Sequence, residues 1–318
     1  MGQNYVSYLD RGRRGVLVMA LCAFGVLLSD LSAPAAASDE ECLALQNRIN
    51  SKTAVTDIRQ VDWTLFEAAD KGCLEIATKM LEQGAKAETR RNSGESVLHV
   101  AARSGETEIA ALLIDHGADI ELRDLKGATP LFVAAEAKRK DIVKLLLARG
   151  ANPNAPGRSE TTPLAAAAFN GNETIIKMLL EKKADPSIAD RSGKTPIVYA
   201  AARGFQPIVE QFLNTGLDVN VPYEHGLTLL MWAAGHANDV PEEDGRKLVA
   251  ALIDRGAKLD EKDDRGMTAL MISAELGHVE SVRELLKRGA ARDLKSNDGK
   301  TAADYAASET LKAAMSSP

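Results

Sequence analysis

At 318 residues, with 45% hydrophobic and 26% charged side chains, the chain could hold one large domain or two ordinary ones. Lys and Arg total 39 against 45 Asp and Glu, and a net charge of −6 argues against the basic face a nucleic acid needs. Aromatic content is only 4% while alanine is abundant, which suits thin layers in which helices approach closely.

Residues 1–37 read as a segment separate from the fold. Arg11, Arg13 and Arg14 form a positive region, and Val16 to Leu28 is an apolar run of thirteen residues. Ala35 and Ala37 then stand at the −3 and −1 places of an A-x-A cleavage site before Ser38, the layout of a secretory signal peptide. A membrane-spanning helix needs about 20 apolar residues, so the run is short for an anchor. The Arg13-Arg14 pair leaves a twin-arginine route open beside the general one. The expected location is periplasmic or secreted, with no membrane span after cleavage. Removal of the leader takes Cys22 with it and leaves Cys42 and Cys73, an even count in an oxidising compartment. They are either a disulfide or two unrelated small apolar residues.

Residues 38–62 form an N-terminal capping segment, with an amphipathic stretch from Glu40 to Ile49. Repeats follow over 63–295. Their apolar markers are Leu65, Leu98, Leu131, Leu164, Ile197, Leu230, Leu270 and Ala303, spaced by 33 residues except for one interval of 40. Such a period is the signature of a stacked array. Two residues before the markers stand Ser96, Thr129, Thr162, Thr195, Thr228, Thr268 and Thr301, hydroxyls suited to accept an orphan amide of a first helical turn. Pro130, Pro163 and Pro196 sit next, where a missing N–H costs nothing. Apolar residues at i, i+3 and i+4, as in Val143/Leu146/Leu147, give a second helix one buried stripe. Gly84, Gly117, Gly150, Gly216, Gly256 and Gly289 stop that helix, and Lys183 breaks the column. A further glycine column, Gly94, Gly127, Gly193, Gly226, Gly266 and Gly299, predicts tight turns, with Glu160 in place of the glycine in repeat four. Residues 296–318 read as a half-repeat cap and polar tail.

Runs such as Gly127-Ala128-Thr129-Pro130-Leu131, Leu98-His99-Val100-Ala101-Ala102 and Gly117-Ala118-Asp119 resemble the ankyrin repeat. The likeness covers residues 63 to about 307. It implies an all-α solenoid of about seven repeats with terminal caps, each repeat a β-turn finger and two antiparallel helices. It also implies a protein-binding role carried by finger tips and the inner face of the first helices.

Catalytic motifs are missing: there is no G-x-S-x-G elbow, P-loop or H-E-x-x-H, and no cofactor or metal-ligand pattern is recognised. His99 and His278 fall in columns where the resemblance implies local hydrogen bonding. The seven-residue insertion, within His236 to Gly245, is acidic but does not follow a calcium-loop order, and reads as a solvated charged loop. The expectation is therefore a non-catalytic scaffold, monomeric by itself, that binds another protein. The alternatives are a small enzyme or metal-binding protein using the insertion, or an immunity or inhibitor-type protein. By the family's pattern the groove is lined by Arg158, Thr161, Phe169 and Asn170 in repeat four and by Arg191, Lys194 and Arg203 in repeat five. Tyr223, His225 and His236 line it in repeat six, with Tyr199 and Trp232 either beside this set or filling gaps between first helices. Aromatic and arginine side chains are the usual anchors of such surfaces.

Overall fold

The computed structural model describes residues 39–51, 58–306 and 308–316. The expected leader lies outside the described residues. Those residues form seventeen α-helices and no strand, apart from an isolated bridge between Arg90 and Ser96.

A first helix follows each hydroxyl column because the cap bond forms. Thr129 accepts the Phe132 amide at 3.3 Å, Thr162 that of Ala165 at 3.1 Å and Thr228 that of Met231 at 3.3 Å. At Thr195 no such bond forms. These helices are short: α2 (Ile58–Lys71), α4 (Val97–Ser104), α6 (Pro130–Glu136), α8 (Pro163–Phe169), α10 (Pro196–Ala202), α12 (Leu229–Ala234), α14 (Ala269–Leu276) and α16 (Ala302–Tyr305). Each packs on the next, forming one continuous row. Apart from Ala303 on the terminal α16, their alanines are almost wholly buried, which lets neighbours approach.

A second row is built by α3 (Leu74–Glu82), α5 (Thr107–Asp115), α7 (Lys140–Ala148), α9 (Glu173–Glu181), α11 (Gln206–Leu213), α13 (Glu242–Asp254), α15 (Val279–Lys287) and α17 (Glu309–Ser316). The glycines after them lie in the left-handed region, with φ of 87 to 97°. Lys183 occupies the same place at φ 64°, where a Cβ is sterically penalised. Replacing Lys183 with glycine is expected to stabilise the protein by about 1 kcal/mol. A denaturation midpoint that does not rise in the variant would contradict this.

Two expectations change at the ends. The first repeat's opening helix begins at Ile58, five residues before the predicted boundary at 63. At the other end, 309–316 is a helix and not a tail. Leu311 and Met315, four residues apart, are buried on its inner face, so the last unit has both helices. The N-terminal cap is α1 (Asp39–Ser51), which packs on α2, buries Leu45 and is joined to the first repeat by a disulfide between Cys42 and Cys73, Cα atoms 5.5 Å apart.

In repeat two the residue after the marker ties its repeat to the next finger. His99 receives or donates at both ring nitrogens: Nδ1 lies 2.8 Å from Ser96 Oγ and Nε2 2.9 Å from the Ala128 carbonyl of the following finger. Burial holds the imidazole below the ordinary histidine range, with the Ala128 carbonyl opposing that shift. The folded state therefore keeps His99 neutral while the unfolded chain protonates near 6.5. Stability is full above that pH and falls as pH drops through it. His236, also depressed by burial, contributes with the same sign. The denaturation midpoint should be lower at about pH 5 than at about pH 7.5, with a smaller drop for His99→Asn.

Candidate partner-binding face

A hairpin finger precedes each first helix from α4 onward, and its shape depends on one residue that the sequence columns did not reveal. Asp124, Asp190 and Asp263 stand seven residues before their markers. Each Oδ1 accepts two amides of its own finger: for Asp124, Lys126 and Ala128, both at 2.8 Å. Asp190 and Asp263 repeat the pattern. In repeats four and six the place is held by Gly157 and Tyr223, and those fingers turn through a short 3-10 segment instead. Ser159 (φ 53°) and Glu160 (φ 65°) are then both left-handed, as are His225 (φ 58°) and Gly226 (φ 72°). Fingers also bond to one another: Leu125 N to the Ser93 carbonyl, Arg191 N to Ser159 and Asp264 N to His225, at 3.0–3.1 Å.

Repeats four to six bring several expected contact residues together. Phe169 and Tyr199 meet edge to face with centroids 5.9 Å apart, and the Arg203 guanidinium lies 5.6 Å from the Phe169 centroid. Arg203 Nη1 also donates to both Asp239 carboxylate oxygens, at 2.7 and 2.8 Å. Lys194 Nζ lies 5.8 Å from the Trp232 centroid and 2.8 Å from Ser192 Oγ. Arg158 donates to Glu136 Oε1 at 3.1 Å, and Asn170 Nδ2 to the Glu136 carbonyl at 2.9 Å. Burial raises the Glu136 carboxyl, and Arg158 opposes it.

Exposure divides the set. Arg191 and His225 are exposed at finger tips, Arg191 paired with Glu160 at 3.3 Å and His225 between Glu224 and Asp264. Arg158, Phe169, Asn170, Lys194, Arg203 and Tyr223 are half-buried. Thr161, Tyr199, Trp232 and His236 are not on the surface, at 2–4% exposure. The reason is packing: Tyr199 lies across Phe169 with its hydroxyl on Asp190, which together with burial pushes the phenol up. Trp232 is buried on α12 with Lys194 over its ring, and His236 lies against Gly245 in the first turn of α13. The surface of this face is therefore narrower than the twelve expected residues.

The exposed large apolar side chains lie outside this set. Among the described residues the large ones are Leu43, Trp63, Leu125 and Val221. Trp63 stands on the first helix of repeat one, 5.5 Å from the Arg91 guanidinium, and Leu125 at the tip of finger three is 77% exposed. Both had a legible signal. Trp63 occupies the column that holds a hydroxyl in every other repeat, and Leu125 stands in an otherwise polar fingertip column.

The insertion is not a solvated loop. Residues 237–241 make a turn, and Glu242 to Gly245 open α13, which is thirteen residues long against nine for α5, α7, α9 and α15. The added four residues are one helical turn. Glu242, Glu243 and Asp244 in that turn favour the positive end of the helix dipole.

Stacked helix pairs, each from α4 onward preceded by a hairpin finger, define a solenoid of finger-bearing helical repeats. The family described as ankyrin repeats (3 copies) matches residues 65–157, 126–190, 164–242 and 242–315. The chain belongs to the ankyrin repeat family. Comparison with curated proteins returns no match. Ankyrin repeats generally mediate protein–protein interaction, and proteins built from them are typically scaffolds and not catalysts. No described helix is long and apolar enough to cross a membrane.

Proposed function

We propose that the protein is an exported, non-catalytic scaffold that holds a protein partner against its fingers and first helices. One observation carries the choice of face. Of the four large apolar side chains exposed among the described residues, Trp63 stands on a first helix, Leu125 at a finger tip and Val221 in the loop leading into a finger, and none stands on the second row. Trp and Arg are the usual anchors of an interface core; the Arg91 guanidinium lies 5.5 Å from the Trp63 centroid, and Lys126 follows Leu125 in its finger. The acidic balance, −6 for the chain, speaks for a protein and against a nucleic acid. Export is supported by the leader-like order of residues 1–37 and by the paired Cys42 and Cys73. Periplasm or exterior is then the compartment in which the partner is met.

Two measurements test this. Intact mass of exported protein should give a chain beginning at Ser38. In affinity capture from periplasmic extract, Trp63→Ala, Leu125→Ala and Arg191→Ala should each weaken retention of one partner several-fold at an unchanged melting temperature. Lys177→Ala, on the exposed side of α9, should retain it fully. Equal retention by all four variants would remove this face as the binding surface.

A further inference from the structure

The seam between repeats six and seven holds two buried imidazoles that are only half satisfied. His236 follows α12 and His278 stands at the start of α15. Their rings stack with centroids 3.8 Å apart and planes tilted by 35°. Both side chains are more than nine-tenths buried, at 2% and 4% exposure. Each Nδ1 has a partner, the Ala237 carbonyl at 3.2 Å for His236 and Glu242 Oε1 at 3.1 Å for His278. Both Nε2 atoms are buried with no hydrogen-bond partner. Buried polar atoms left this way are uncommon in folded proteins and need a cause.

The third group comes from the inserted turn. Glu242 Oε2 accepts the Glu280 amide at 3.1 Å, which fixes the carboxylate over the start of α15 while 44% of the side chain stays exposed. Arg246 and Lys247 on the same helix pair with Glu243, Asp244 and Glu284. No lysine or arginine pairs with Glu242 among the described residues. Gly245 makes the arrangement possible, since a Cβ there would stand 2.1 Å from His236 Cδ2 and 2.2 Å from its Nε2. One ligand atom from each of His236, Glu242 and His278 lies within 4.8 Å of the others. Around a tetrahedral zinc, ligand atoms stand about 3.3 Å apart, a closure within reach of side-chain rotation.

We propose that His236, Glu242 and His278 form a binding site for a zinc-class divalent ion, built by the insertion at this seam. Two imidazoles and one carboxylate suit zinc and its transition-metal neighbours, whereas calcium and magnesium take mostly oxygen ligands. Three protein ligands leave one coordination position for water or a side chain of a partner. An ion there ties the added turn of α13 to α15. The site goes beyond the partner-binding reading and does not rest on it.

The test uses the untagged chain without its leader, titrated with zinc chloride by calorimetry and with cobalt chloride by visible absorption. The expected result is one equivalent of zinc bound, a tetrahedral cobalt spectrum displaced by zinc and not by calcium or magnesium, and a melting temperature that rises with zinc. His236→Gln, His278→Gln and Glu242→Gln should each weaken zinc binding at least tenfold and abolish the rise in melting temperature. His116→Gln and His225→Gln should change neither. Glu242→Gln alters a half-exposed carboxylate and decides the question should either histidine variant fail to fold. Absence of stoichiometric zinc binding by the unaltered chain, or undiminished binding by Glu242→Gln and the folded histidine variants, would overturn the site.

Discussion

Phe132→Ala is expected to lower stability by about 3–5 kcal/mol, the range for emptying a buried aromatic site. The ring is fully buried on α6 and lies directly on the backbone of the next finger. A Cβ added to Gly157 would meet ring carbons at 2.2–2.5 Å, so the finger cannot close over the void without moving its own backbone. The ring is thus shared between repeats three and four. In a linear array each unit touches only its neighbours, and cooperativity rests on such shared groups. Loss of the ring should therefore broaden or split the denaturant transition as well as shift it, read by circular dichroism. Phe132→Leu keeps most of the volume and should cost less than about 1.5 kcal/mol. A single sharp transition within about 1 kcal/mol of the parent for Phe132→Ala would refute the coupling.

Replacing Cys42 and Cys73 by serine is expected to destabilise the first repeat and its cap by about 3–4 kcal/mol, from the chain entropy of a loop with a sequence separation of 31. α1 rests on α2 with Leu45 as its buried anchor, aided by ion pairs of Arg48 with Glu67 and of Lys71 with Glu41. Ion pairs this exposed add little. Hydrogen exchange should accelerate in α1, α2 and α3 and stay unchanged beyond repeat three, because the effect decays along the array. Unaltered protection of α1 in the double serine variant would show that packing alone holds the cap.

The stacking was legible because its causes are local and repeated. A hydroxyl before all but the first marker, a glycine after most second helices and an apolar stripe between them recur at one spacing, and most of them serve the purpose their chemistry suggests, Thr195 and Lys183 being exceptions. What stayed hidden depends on neighbours that the spacing does not name. The inserted residues looked like a loop because their charges dominate composition, yet those charges are acidic and sit where a helix begins. His236 and His278 are forty-two residues apart, and their rings meet at a seam where Gly245, in the added turn of α13, lies against His236. On the candidate face, column position gave an expected set of contact residues but did not tell which of them are covered. Tyr199 and Trp232, expected either beside the groove or in gaps between first helices, are buried, with Asp190 on the Tyr199 hydroxyl and Lys194 over the Trp232 ring.

The two ends of the array are closed by different means. α1 is bonded covalently to the first repeat, whereas α17 is held by Leu311, Met315 and a hydrogen bond from Arg292 to the Met315 carbonyl at 3.2 Å. No cysteine follows Cys73. A processive unfoldase or protease meets a clamp at one extremity and a lid at the other. Degradation begun at the carboxyl side would peel repeats off singly and leave shortened, still-folded arrays, while the same machine started at the amino side would stall until a reductant arrived.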